Sequence, residues 1–143
     1  MKAVIENKPI IIVDASVILK WFLDEQDSDI ALRLRADLLN KQVKISIPDF
    51  AVAECMNILS IKRLETALLR LSFLENLHLH KYELSLNITR EALKIKRKFP
   101  KVSFYDAAYH ALAKVEGGIF ITADESYYKT TKSLRNVCLL KDY

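Results

Sequence analysis

Glycine and proline are scarce in this 143-residue chain, at 2 and 3 residues respectively. That leaves no glycine-rich loop to cradle nucleotide phosphates, which counts against the P-loop and dinucleotide-binding classes. Cysteine is equally sparse. Cys55 and Cys138 sit in the apolar stretches AVAECMNIL and NVCLL, and two cysteines without a pairing pattern build neither a disulfide framework nor a zinc site. Both read as small core residues. No apolar run approaches the ~18–20 residues a membrane span requires. No signal peptide is expected either, because the run Pro9-Ile10-Ile11-Ile12-Val13 stops at Asp14. The expectation is a cytoplasmic protein with no membrane partner.

What is present points to a folded enzyme-sized domain. Hydrophobic residues make up 51% of the chain and charged residues 28%, a balance typical of globular proteins. The length favours one domain over 1–143, able to bury roughly 68–70% of its unfolded surface. There is no repeat, low-complexity tract or linker. The net charge is +4, from 22 basic and 18 acidic residues, with a pI near 9.0. This leans toward a polyanionic partner.

Short β-branched apolar runs alternate with longer helical patterns. The strands expected are 10–14, 43–47, 118–123 and 137–140, with a weaker one at 78–82. Continuous apolar runs suit parallel strands covered on both faces. Helices are expected at about 16–23, 27–40, 49–62, 64–76, 85–99, 104–115 and 125–132. The alternation implies a three-layer α/β/α sandwich around a mostly parallel sheet of four to five strands, with right-handed crossovers. Such sheets place their sites beyond the carboxyl ends of the strands.

Four acids occupy the positions that rule singles out. Asp14 ends the first strand and Asp124 ends ITA; each also suits a helix N-cap. Asp106 lies in the first turn of SFYDAAYHALAKV, where Ser103 as N-cap and the helix dipole would explain it without chemistry. Glu54 is harder to explain away. The helix FAVAECMNILSI is apolar on nearly every side, and only Glu54, Asn57 and Ser60 break it as a narrow polar stripe. A carboxylate there is desolvated unless it meets a counter-charge, a metal or a wet cleft. Together the four would converge on one rim of the sheet, where mutual repulsion calls for a cation. Ligation by oxygen alone suits a hard ion, Mg²⁺ or Mn²⁺. Such an ion, or a pair about 3.5–4 Å apart, activates water and steadies the leaving oxygen of a phosphodiester.

These segments resemble a known family. IIIVDASVILKWF is similar to the first motif of PIN domains, IPDFAVAECMNIL to the second, SFYDAAYHALA to the third and FITADESYYK to the fourth. They occur in family order and span essentially the whole chain. The short single-domain form resembles the VapC-type toxins of toxin–antitoxin pairs. The resemblance implies Mg²⁺- or Mn²⁺-dependent RNA cleavage, a homodimer, and an antitoxin that blocks the site. Carried over residue by residue, Asp14, Glu54, Asp106 and Asp124 are the metal-site acids, with Ser16 and Thr122 as supporting polar residues. A further acid after the fourth motif, present in some members, has only Glu125 to stand for it here.

Other residues read as lesser candidates. His110, four after Asp106, shares its helix face and suits either a hydrogen-bonded structural role or contact with a metal or phosphate. His78 and His80 read as surface or half-buried. In LNITREALKIKRKF, Ile88, Ala92, Ile95 and Phe99 form one face. Arg90, Lys94 and Arg97 follow two residues on, a rotation of roughly 200°. That basic face is either simply solvated or an RNA backbone contact, extended by Lys98 and Lys101. Lys20 could also meet a phosphate, whereas Trp21 and Phe22 read as core or dimer contacts.

Two other classes compete with the nuclease. A catalytically silent RNA- or protein-binding module would have no chemical need for four intact acids. Haloacid-dehalogenase-like phosphatases also open with a strand ending in Asp, but they expect a second acid where this chain has Ser16.

Overall fold

The computed structural model describes residues 7–143. Residues 1–6 lie outside the described residues. The expected single domain begins with them, and the reading of an absent signal peptide includes them.

Five strands form one sheet: β1 (Ile10–Val13), β2 (Lys44–Pro48), β3 (His80–Tyr82), β4 (Ile119–Thr122) and β5 (Val137–Leu139). The order is β3-β2-β1-β4-β5 and every pairing is parallel. The helices are α1 (Ala15–Leu19), α2 (Ser28–Leu39), α3 (Phe50–Lys62), α4 (Leu64–Asn76), α5 (Leu86–Lys98), α6 (Phe104–Glu116) and α7 (Glu125–Thr131). This is the α/β/α sandwich expected from the alternation. The weak strand is present but reduced to three residues on the sheet edge. Among the described residues no helix is long and apolar enough to cross a membrane.

β-branched residues dominate the central strands because both faces are covered. Ile11, Ile12, Val13, Ile45, Ile47, Phe120 and Ile121 are all buried. Helix α6 lies directly on the sheet, packing against β1, β2 and β4. Its small residues Ala107, Ala108, Ala111 and Ala113 are fully buried, which lets its backbone approach the strands. Helix α5 packs on α6 through Ile88, Ala92 and Ile95, leaving Arg90, Lys94 and Arg97 exposed. Cys55 is buried, but Cys138 is only half-buried, because β5 is an edge strand with one side uncovered.

The two glycines turn the chain from α6 into β4. Gly117 has φ 68°, the left-handed conformation that ends helices. At Gly118 an added Cβ would come within 2.6 Å of the Ile10 carbonyl oxygen, so the close approach of β4 to β1 demands a residue without a side chain.

The chain builds outward from β1 through β2 to β3, then crosses back to place β4 on the other side of β1. The sheet therefore reverses its winding between β1 and β4. Open α/β sheets hold their ligands in the crevice at such a switch point.

Candidate functional site

The carboxyl ends of β1 and β4 are laced together at that crevice. Asp14 follows β1 and caps α1, accepting the Val17 N–H at 3.2 Å. The Ser16 hydroxyl donates to Asp14 Oδ1 at 2.5 Å and accepts the Ala123 N–H at 3.2 Å. The Thr122 hydroxyl donates to Asp14 Oδ2 at 2.6 Å and accepts the Asp124 N–H at 3.1 Å. Both oxygens of a carboxylate only 6% exposed are thus held in place. Asp124 caps α7 by accepting the Tyr127 N–H at 2.9 Å. The helix-cap roles of Asp14 and Asp124 are real, and the Thr122 hydroxyl ties the Asp14 carboxylate to the backbone of Asp124.

Asp106 stands in the first turn of α6, where the Ser103 hydroxyl accepts its N–H at 3.0 Å. It shares a cleft of about 350 Å³ with Asp124, walled also by Lys101, Ser103, Tyr127 and Thr130. Glu54 approaches from α3, half-buried, and its Oε1 is closed off from solvent without a hydrogen-bond partner.

The four acids act on one another. Desolvation pushes Asp14 up to about 6, against the hydrogen bonds it accepts, and the charge of Asp106 adds to the rise. Glu54 is pushed up to about 7 by desolvation and by repulsion from Asp106 and Asp14. Asp106 is raised by desolvation, with repulsion from Asp124 adding to it. Among the described residues, no lysine or arginine forms an ion pair with any of the four. The carboxylates stand within electrostatic reach. Even so, among the described residues no three His, Cys, Asp or Glu side chains are spaced to hold a metal ion. Like charges without a partner keep their distance.

The remaining candidates fall elsewhere. Glu125 turns away to pair with Lys141 at 3.2 Å. His110 is fully buried: one ring nitrogen lies 2.7 Å from the Arg135 carbonyl oxygen and the other 2.9 Å from the Tyr127 hydroxyl. Burial holds its pKa down, so it joins α6 to α7 as a neutral strut. Lys20 pairs with Glu25 at 3.3 Å. Arg90, Lys94 and Arg97 line a groove on α5 with Leu86, Thr89 and Leu93, and Lys94 also pairs with Glu91 at 2.9 Å. Trp21 is buried and donates its indole N–H to the Ala31 carbonyl at 2.9 Å. His78 and His80 are exposed. Tyr109 is not legible in the sequence as a neighbour of the site, because a tyrosine in the apolar stretch of α6 reads as core, and Tyr127 in the polar α7 carries no signal of its own. The usable signal was position: each falls three residues after one of the acids.

A parallel α/β sandwich with carboxylates gathered at its switch point defines a recognisable class. The chain belongs to the PIN domain family, which matches residues 11–133. No curated protein matches it. Among solved structures, it is similar to VapBC2 from Rickettsia felis bound to a promoter DNA fragment. That match has TM-score 0.68 and 18% identity over 91% of this chain and 96% of the other. It is similar to a toxin–antitoxin complex from Klebsiella pneumoniae (TM-score 0.62, 16% identity, 90% and 96% covered). It is also similar to VapC20 of Mycobacterium tuberculosis, a sarcin–ricin-loop-cleaving toxin (TM-score 0.65, 16% identity, 83% and 93% covered). At these identities the likeness establishes a shared fold.

Proposed function

We propose that this chain is a divalent-metal-dependent endoribonuclease, the toxin of a toxin–antitoxin pair, acting in the cytoplasm as a single PIN-like domain over 1–143. Asp14, Glu54, Asp106 and Asp124 would hold the ion, Mg²⁺ or Mn²⁺. The observation that carries this reading is that carboxylates from four elements repel one another and, among the described residues, no basic side chain is paired to any of them. Such a group takes up protons unless a cation neutralises it. The residues fit a hard ion on two counts: the donor set is all oxygen, and Glu54 Oε1 is buried without a partner.

When bound, the ion supplies Lewis acidity to phosphodiester oxygens and lets water attack at neutral pH. The chain supplies the rest. Ser16 and Thr122 fix the Asp14 carboxylate through both oxygens, and the Tyr127 N–H fixes Asp124. Preset carboxylates need no reorganisation as charge develops on the phosphate. The α5 groove of Arg90, Lys94 and Arg97, with Lys20 nearer Asp14, would contact the RNA backbone.

The antitoxin reading is supported by the complexes among the structural neighbours and by a surface on the α3–α4 hairpin. Leu64, Leu68 and Leu69 are 72%, 76% and 72% exposed. Beside them Leu69, Phe73, Phe22 and Trp21 line a groove of about 340 Å³. Apolar side chains clustered in the open mark a protein-interaction surface. We assign this one to the antitoxin, and read the protein as a homodimer.

Purified protein assayed on structured and single-stranded RNA tests the activity. Cleavage with Mn²⁺ is expected, lost in excess EDTA and in Asp14→Asn or Asp106→Asn variants that stay folded. Equal cleavage by those variants, or in EDTA, overturns the reading in favour of contaminating nuclease. An RNA- or protein-binding module without activity is the outcome if Mn²⁺ never elicits cleavage.

A further inference from the structure

Among the described residues, three buried side-chain atoms lack a hydrogen-bond partner: Ser46 Oγ, Glu54 Oε1 and the Tyr109 hydroxyl. Folded proteins leave few such atoms, and each calls for a reason. Two of them, Glu54 Oε1 and the Tyr109 hydroxyl, belong to groups that act on each other electrostatically. Tyr109 is fully buried on α6, in the turn after Asp106. Its ring is stacked on Phe120 with centroids 5.7 Å apart, and stands edge-on to Phe50 at 5.2 Å. Phe50 precedes Glu54 by four residues on α3, so the two share a helix face. The charges of Glu54 and Asp14 both act on the phenol held by this packing.

The hydroxyl has a proton to give and needs an acceptor. The Ala15 N–H lies next to the phenol oxygen, but an N–H only donates. The Cys55 thiol is also near; burial pushes it up to about 12, so it stays protonated, and sulfur is a weak acceptor. Asp14 already accepts from Ser16, Thr122 and Val17. Glu54 Oε1 accepts from nothing. A donor without an acceptor stands within electrostatic reach of an acceptor without a donor.

We propose that Tyr109 is a positioning residue of the acid site: as the carboxylates draw in around a cation, its hydroxyl donates to Glu54 Oε1 and leaves Oε2 for the ion. This rests on the metal-site reading above. Burial and the neighbouring carboxylates raise the phenol's pKa, so it remains a donor throughout the neutral range. Tyr109 thereby does for Glu54 what Ser16 and Thr122 do for Asp14.

Calorimetric titration with Mn²⁺ and metal-free thermal melting of the wild type, Tyr109→Phe and Ser46→Ala test this. Phenylalanine keeps the ring packing and removes only the hydroxyl. Tyr109→Phe is expected to bind Mn²⁺ about 10-fold more weakly, as loss of a ligand-orienting hydrogen bond does. Its metal-free melting temperature should change little, because the hydroxyl's proton has no acceptor to lose in the metal-free protein. Ser46→Ala removes the third unpartnered atom, which lies in register with Ile12 inside the sheet, and should leave Mn²⁺ affinity unchanged. Equal affinity in the wild type and Tyr109→Phe overturns the proposal and leaves the metal-site reading standing. An equal fall in Ser46→Ala also overturns it, since the effect would then be general to buried polarity. A wild type that binds no Mn²⁺ removes both.

Discussion

Thr122 donates its hydroxyl hydrogen to Asp14 Oδ2 at 2.6 Å, joining residues 108 positions apart. The Thr122 hydroxyl oxygen in turn accepts the Asp124 N–H at 3.1 Å. One hydroxyl therefore sets two of the four acids relative to each other, at the point where the sheet reverses its winding. No other residue type of this size does both: valine has no hydroxyl, and serine lacks the methyl that fills the fully buried position.

Replacing Thr122 by valine keeps the shape and removes both bonds. The change should destabilise the fold by about 1–3 kcal/mol, since a part-buried N–H and a buried carboxylate each lose a partner. Mn²⁺ affinity should fall about 10- to 100-fold, as for other ligand-orienting groups. Urea unfolding and calorimetry read the two effects separately, and Thr122→Ser should recover most of the affinity.

The acid cluster makes metal-free stability depend on pH in an unusual direction. Asp14 and Glu54 bind their protons more tightly folded than unfolded, at about 6 against 3.8 and about 7 against 4.5. Between the ordinary and raised values the folded state carries the extra protons, so stability falls as pH rises. Below that window the two groups contribute fully. Glu91, lowered chiefly by its hydrogen bond from Lys94, acts oppositely at more acid pH. Buried His110, held below its ordinary 6.5, offsets part of the drop on the acid side of that value, while the raised Asp106 adds to it. The melting temperature in EDTA is therefore expected to drop from about pH 5 to about pH 7.5, and Mn²⁺ should flatten the drop. Scanning calorimetry across that range measures it; a rise in EDTA would mean that the carboxylates are already compensated.

Gly118→Ala tests the seam between β1 and β4. The new methyl would meet the Ile10 carbonyl oxygen at 2.6 Å, and this is backbone that cannot swing aside. Overpacking of this kind costs about 1–3 kcal/mol, measurable as a shift in the denaturation midpoint. Because Asp14 and Asp124 hang from these two strands, cleavage should weaken further than stability alone explains.

The basic face of α5 is tested through its salt dependence. Arg90→Ala with Arg97→Ala should weaken RNA binding evenly across sequences and reduce the slope of log affinity on log salt by about 1–2. An unchanged slope in a fluorescence titration would make that face merely solvated.

The strands are legible because runs such as IIIV and IFIT suit strands covered on both faces, and their ends lead directly to Asp14 and Asp124. Helix α3 was less so. Its apolar residues suggested burial nearly all round, yet only Ala51, Cys55 and Leu59 are buried and Ile61 is 75% exposed. Sequence alone does not separate apolar surface meant for the chain's own core from surface left open. His110 shares a helix face with Asp106, as its spacing required, but a tertiary hydrogen bond to Tyr127 claims its ring. Tyr109 escaped notice because its importance lies in what its hydroxyl lacks, which only the packed structure reveals.

Anomalous diffraction from crystals soaked in Mn²⁺ addresses the metal site itself. A manganese peak is expected within ligand distance of carboxylate oxygens from Asp14, Glu54, Asp106 and Asp124, absent after Asp106→Asn. Density showing those carboxylates apart with no manganese among them, or a lysine or arginine turned in to neutralise them, would contradict a metal-dependent nuclease.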